Sequence, residues 1–369
     1  MLLDGRVSRL DLAAYLALWR QAGSDAALPA LQARLTAGQL LAGTRSYPEV
    51  SVTAQAARGG GTLQLRSERL SGSVRWPEVV DSTHPAVVQL TGFDIAQPQD
   101  IAFGAALAVV LGPAMQLSVD ELSWQGRSLG SLAAVLAAHD TVLEASELHL
   151  SGAGGEALAS AHCQENSCKL KFSLDSSDAA GTLAAFGLRP DLSASRAHFE
   201  GELRWSPPAA APLATLGGHL HMQLDDGMTQ AAANSSGVPF ALLSVPALLA
   251  GLSPEAEISP HGLRFARLTA DYELRDGDAA TSDLHFDGEA EILVRGRVGL
   301  ATGDYDEQAW ILRGEDRLPA AVRSLGPTPR VAALWLSLRE MFAGAPADRT
   351  RAALRLRGTW HDPIVTPGE

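Results

Sequence analysis

The sequence predicts a mainly β protein, a long antiparallel sheet with a few short amphipathic helices. Three observations predict it. Apolar and polar side chains alternate along many short runs, which gives each run one greasy and one wet face. Glycines recur between the runs, at turn or bulge positions such as Gly43, Gly59-Gly60-Gly61 and Gly72. A Gly–strand–Trp pattern also repeats, as Gly72-Ser73-Val74-Arg75-Trp76, Gly201-Glu202-Leu203-Arg204-Trp205 and, more loosely, Arg357-Gly358-Thr359-Trp360. Weak self-similarity of this kind points to stacked β units in which each strand pair meets mainly its neighbours.

Residues 8–21 read as a short helix with Ser8 or Asp11 as N-cap. Strands follow at Leu31/Ala33/Leu35, Val50/Val52/Ala54/Ala56, Leu63/Leu65 and Val74/Trp76. A second set comprises Met115 to Leu122, Leu129 to Ala137 and Glu147 to Gly152. Ala157–Cys163 and Cys168–Asp175 form a hairpin around Gln164-Glu165-Asn166-Ser167, which sets Cys163 opposite Cys168. In an oxidising compartment those two fit a cross-strand disulfide; otherwise they are idle thiols. Ser177 to Leu188 reads as a helix, capped by Ser177 or Asp178.

The Pro-rich stretch 206–212 is the clearest linker, and it separates a region 1–206 from a region 213–369. After it come Leu216 to Gly227, with Asp225-Asp226-Gly227 as a turn, and an apolar run with a helix near 238–252. Strands Gly262–Leu274, Ala279–Gly288 and Ala290–Leu300 lead to a turn at Gly303-Asp304-Tyr305-Asp306. Leu318 to Leu325 and residues 329–343 are helical, the latter with Val331, Leu334, Trp335, Leu338, Met341 and Phe342 on one face. A last strand occupies 350–358.

Composition narrows the function. The 369 residues carry a formal net charge of −13, so the chain lacks the basic surface that nucleic acid or an anionic membrane needs. The N-terminal Met1-Leu2-Leu3-Asp4-Gly5 is not a signal peptide. The longest apolar runs, Ile101 to Leu111 and Val238 to Leu252, fall short of the roughly 20 residues of a membrane span. No anchor of the chain's own is expected.

Chemistry is sparse. There is no Gly-x-Ser-x-Gly elbow, no Walker loop, no Gly-x-Gly-x-x-Gly after a strand and no His-Glu-x-x-His. His219 and His221 share a strand face, but a metal site needs three or four ligands, so they read as solvent-facing polar residues. His162 and Cys163 are strand neighbours that point to opposite faces, which argues against a zinc site with His149 and Cys168. Asp304, Asp306 and Glu307 read as a solvated turn. Neither a catalytic residue, a cofactor nor a metal is expected, and the chain reads as no enzyme.

The alternation itself admits two readings. Leu220, Met222 and Leu224 pack against another sheet in a sandwich core, or they line an open, curved sheet that holds lipid chains. Each buried CH₂ is worth about 0.8 kcal/mol, so an acyl chain gains several kcal/mol in such a groove.

The stretch from Leu216 onward resembles the C-terminal region of AsmA-like bacterial envelope proteins of the YhdP type. The resemblance runs through Leu224-Asp225-Asp226-Gly227, then Phe240-Ala241-Leu242-Leu243-Ser244, then Gly262-Leu263-Arg264-Phe265 and Gly277-Asp278-Ala279-Ala280-Thr281. It continues in Gly296-Arg297-Val298-Gly299-Leu300 and in the ending Gly358-Thr359-Trp360-His361-Asp362-Pro363. Upstream, Ser118 to Gly130 and Gly201 to Trp205 are similar to the family's repeating strands. The run Ser253 to Ile258 departs from the family pattern, and residues 313–349 are more polar than the family's.

The resemblance implies an elongated, curved β-sheet with a hydrophobic groove, made of AsmA-like repeats in both regions. It places the chain in the periplasm of a Gram-negative envelope, tethered to the inner membrane through the N-terminal region that longer members carry. The implied function is passage of phospholipid between inner and outer membranes by passive partition, the C-terminal helices meeting the membrane. A non-catalytic scaffold in outer-membrane assembly is the alternative. An oxidising periplasm would join Cys163 to Cys168.

Candidate groove positions are the inward members of each run: Leu63, Leu65, Val74, Trp76, Leu117, Val119, Leu148 and Leu150 in the earlier strands. Leu170, Phe172, Leu203, Trp205, Leu220, Met222 and Leu224 continue the set, and Leu263, Phe265, Leu284, Phe286, Ile292 and Val294 complete it. On this reading, Met222→Asp or Phe286→Asp is expected to abolish lipid crosslinking while sparing the fold.

Overall fold

The computed structural model describes residues 2–17, 31–42, 45–57, 59–68, 70–95, 111–139, 142–152, 154–164, 166–185, 192–206, 212–229, 242, 244–252, 263–312 and 351–368. Within them lie 19 strands and a few short helices, so the protein is mainly β. Contacts divide the chain into two units, residues 1–165 with 185–187 and residues 166–184 with 188–369.

The first unit holds β1 (Leu2–Asp11), β2 (Leu31–Ala42), β3 (Arg45–Ala57), β4 (Gly60–Arg66), β5 (Leu70–Pro77) and β6 (Ala86–Ile95). It continues with β7 (Ala114–Trp124), β8 (Arg127–His139), β9 (Val142–Gly152) and β10 (Gly155–Gln164). Each strand pairs with the next in sequence. The pairs β1–β2 and β6–β7 are parallel and the others antiparallel. Both parallel pairs are joined by long connections, residues 12–30 and 96–113, as parallel pairing requires.

Directly opposed residues share a face, so the registers align one apolar row across the unit. It runs Ala33, Ala54, Leu63, Val74, Val88, Leu117, Ala134. The helix expected from residue 8 begins at 12, because residues through Asp11 are held in the ladder with β2. Asp11 caps it, its Oδ1 accepting from the Ala14 amide at 3.0 Å. Leu12 and Leu16, one turn apart, are both buried. Residues 18–21 of the expected helix lie outside the described residues.

Gly61 lies opposite Trp76 in the β4–β5 ladder. A Cβ there would sit 2.3 Å from the indole Cζ2 and 2.9 Å from the Gln55 carbonyl oxygen. The glycine thus makes the room into which the buried Trp76 folds. Gly61→Ala is expected to destabilise the protein by about 1–3 kcal/mol through overpacking, read as a lower urea midpoint with altered tryptophan fluorescence.

The second unit holds β11 (Ser167–Ser176), β12 (Leu192–Trp205), β13 (Gly217–Thr229), β14 (Leu263–Arg275) and β15 (Asp278–Gly288). Then come β16 (Glu291–Gly299), β17 (Asp304–Leu312), β18 (Arg351–Thr359) and β19 (Asp362–Pro367). Every consecutive pair is antiparallel. A helix at Ala179–Ala185 is capped by Asp178, whose Oδ1 accepts from the Gly181 amide at 3.0 Å. A second helix, Val245–Leu252, falls within the apolar run.

Several expectations change here. Asp225-Asp226-Gly227 does not turn the chain, because β13 continues to Thr229 and stays paired with β12 and β14. Asp226 instead adopts a left-handed φ of 50°, a local irregularity within the strand. The expected turn at 303–306 ends one residue in, since β17 begins at Asp304 and pairs with β16 and β18. A strand the sequence reading missed, β19, closes the sheet. Helix Val245–Leu252 falls in the expected apolar run, and its side chains from Val245 to Leu249 are buried. The helices expected at 318–325 and 329–343 lie outside the described residues.

Candidate functional site

The registers of the second unit gather the sequence-predicted apolar positions onto one face. Leu170 opposes Leu203, and Phe172 opposes Gly201, which opposes Leu220. Leu220 opposes Tyr272, Leu224 opposes Leu268, and Leu268 opposes Phe286. Phe286 opposes Ile292 and Leu284 opposes Val294, and that row continues to Ala309 and Leu354. A single greasy face therefore runs from β11 to β18.

Its exposure is graded. Met222, Leu224, Leu263, Phe265, Leu284, Phe286, Ile292 and Val294 are buried. Leu170, Phe172, Leu203, Trp205 and Leu220, nearer β11, are only half-buried. In the first unit Leu63, Leu65, Val74, Trp76 and Val119 are buried, whereas Leu117, Leu148 and Leu150 are half-buried. Phe286 is 0% exposed and packs on Phe265 with ring centroids 5.4 Å apart. Met222 is 1% exposed. A carboxylate at either position would sit in a close-packed interior, so the expectation that Met222→Asp or Phe286→Asp spares the fold is withdrawn.

Among the described residues, Leu242 and the first turns of the helix Val245–Leu252 lie against the buried part. Leu242, Val245, Ala247, Leu248 and Leu249 are buried in the same apolar cluster as β14–β18. The Tyr272 hydroxyl on β14 donates to the Leu242 carbonyl. The Ser244 hydroxyl donates to Glu307 Oε1 on β17 at 3.0 Å. Ser244 also starts the helix, its carbonyl accepting from the Leu248 amide at 2.9 Å.

Glu307 is the chemical exception on this face. It opposes Gly296 on β16 and Leu356 on β18, so its carboxyl points inward with Tyr305, Ala309 and Ile311. It is 1% exposed, and among the described residues Oε2 has no hydrogen-bond partner. Burial pushes its carboxyl up to about 8, against the lowering effect of the Ser244 hydrogen bond. Gly296 opposite it, at φ 141°, lets the strands approach closely, since a Cβ there would lie 2.5 Å from the Asp306 carbonyl oxygen and 2.6 Å from the Glu307 Cα. Burial likewise raises the Tyr272 phenol well above its usual range. The sequence reading assigned Glu307 to a solvated turn; extending the strand alternation back from Ile311 through Ala309 would have placed it inward.

The opposite face is polar and knitted by cross-strand ion pairs. Arg355 and Arg357 reach Asp306 at 3.1 and 3.5 Å, and the Arg355 hydrogen bond holds that carboxyl below its usual range. Arg297 bridges Asp278 and Asp304 at 2.9 and 2.7 Å, lowering the Asp304 carboxyl. Lys169, with Arg204, brings Glu202 down to about 2. His221 meets Asp271 and His198 meets Asp175, each at 2.7 Å, and His219 is exposed. Exposed pairs of this kind contribute little stability singly, but they keep this face wet. Among the described residues no group of three or more His, Cys, Asp or Glu could hold a metal ion. Among them too, no helix is long and apolar enough to cross a membrane. Cys163 and Cys168 are both disulfide-bonded, and no cysteine is free.

No curated protein and no solved structure matches this chain. The family comparison does match, and across nearly the whole length: residues 1–365 fit the YhdP protein family. The chain, with its consecutively paired strands and one-sided apolar face, belongs to that family.

Proposed function

We propose that this chain binds the acyl chains of phospholipid along its inward apolar face and passes them through the periplasm between inner and outer membranes. Membership of the YhdP family suggests a role related to envelope lipid transport in general. The observation that carries the finer reading is the half-buried stretch Leu170, Phe172, Leu203, Trp205 and Leu220, continuous with the buried interior. An apolar strip of this kind gains about 0.8 kcal/mol for each methylene it covers. In this reading passage is passive partition, with no residue serving as acid, base or nucleophile. On the same reading the inner membrane is met through the N-terminal region that longer family members carry, and the outer membrane through the C-terminal segment in which the sequence predicts helices.

The test is a mass spectrum of the organic extract of the purified protein. Phospholipid at a defined ratio is expected. Phe172→Asp, at a half-buried site, is expected to lower that ratio about tenfold, roughly two methylene contacts' worth. Protein that carries no phospholipid when purified from membranes would instead favour a non-catalytic scaffold in outer-membrane assembly.

A further inference from the structure

The helix Val245–Leu252 lies where a ligand of the apolar face would lie. It covers the face from β14, through Leu242 and Tyr272, to β17, through Ser244 and Glu307, and it also packs on β19. Its side chains Val245, Leu248 and Leu249 are at most 1% exposed, so this part of the helix is packed into the apolar cluster. An ordinary core helix would need only this packing. Two further features set this one apart.

Its attachment includes two hydrogen bonds to polar groups placed on an otherwise greasy face, the Tyr272 hydroxyl and the Glu307 carboxyl. A closed apolar core has no use for a carboxyl with one oxygen unpartnered among the described residues. Ser244, which makes the second bond, sits at a left-handed φ of 51°, unfavourable for a serine. Its hydroxyl reaches across to Glu307 at the entry to the helix, where a serine side chain ordinarily caps the first turn. Strained backbone persists only where its surroundings hold it, and it clusters at ligand clamps and switch regions.

We propose that this helix is an internal plug, which occupies the β14–β19 part of the apolar face in place of acyl chains and leaves when lipid enters. The proposal rests on the lipid-binding reading above and adds regulation to the same site. The half-buried strip at β11–β13 is then the part of the second unit open to lipid at rest. Ser244, Glu307 and Tyr272 form the latch: their bonds hold the helix down without adding to the apolar contacts that lipid would replace.

The test uses the whole chain with vesicles of phosphatidylethanolamine and phosphatidylglycerol, doped with a phospholipid that carries a photoreactive group on its acyl chain. Adducts are mapped by peptide. Wild type is expected to label mainly in β11–β13. The double variant Ser244→Ala/Tyr272→Phe removes both hydroxyls and is expected to raise labelling in β17–β19 about fivefold or more, with labelling in β11 unchanged. Strong labelling of β11 with no rise in β17–β19 overturns the plug and leaves the lipid reading standing. No labelling of either overturns both. If the double variant does not fold, Ser244→Ala alone is read in the same way, with a smaller rise expected.

Discussion

Glu307→Gln is expected to stabilise the protein at neutral pH and to flatten part of its pH dependence. The folded-state carboxyl titrates near 8 against an ordinary 4.5, because it is buried among apolar side chains. Between those values the folded protein keeps a proton that the unfolded chain has released. The group's contribution to stability is therefore fullest below about pH 4.5 and declines as pH rises toward 8. At ~1.4 kcal/mol per pH unit, the loss by pH 7 is on the order of 3 kcal/mol. Glutamine keeps an oxygen for the Ser244 hydroxyl and carries no titration. Urea unfolding at pH 5 and pH 8 measures the difference. The midpoints of the two proteins are expected to lie close together at the lower pH and to separate at the higher one, with the variant the more stable. Parallel curves across that range would refute the buried, proton-bearing Glu307.

Phe286→Asp is expected to unfold the second unit. Removing a fully buried phenylalanine costs about 3–5 kcal/mol in lost contacts and cavity. Placing a carboxyl against Phe265, in a close-packed apolar cluster, adds a desolvation cost. Loss of the cooperative unfolding transition and of the near-ultraviolet dichroism is the expected result. By contrast, Lys171→Asp, on the exposed side of β11, is expected to change stability by less than ~0.5 kcal/mol.

Most of the strands were legible because period-two alternation is a local property, though β1, β6 and β19 were not. Leu31, Ala33 and Leu35 announce β2, and Leu263 with Phe265 announces β14, with no tertiary information. Other features were less legible, for physical reasons. The turn signals in Asp225-Asp226-Gly227 and Gly303-Asp304 are real, yet in the first case pairing on both sides keeps the strand going and absorbs the irregularity as a left-handed residue. In the second, acidic residues read as solvated because their arginine partners, Arg297, Arg355 and Arg357, come from other strands. Glu307 was hidden by the same acidic neighbourhood, although its parity with Ile311 places it inside.

The helix Val245–Leu252 posed the reverse problem. Its apolar sequence predicts burial but not where, and only the contacts through Ser244, Tyr272 and β19 place it on the face the strands had been expected to leave open. Alternation alone could not separate a filled interior from a vacant one. Among the described residues the face is fully buried beneath the helix and only half-buried at Leu170, Phe172 and Leu220.

Neighbouring residues on β11 give the most direct test of acyl-chain binding. A photocrosslinking amino acid at Phe172, on the half-buried apolar face, is compared with the same residue at Lys171, on the exposed side, in protein exposed to phospholipid vesicles. Phospholipid adducts at position 172 and none at 171 are the expected result. Equal labelling at both positions, or none at 172, would contradict acyl-chain binding on the inward face.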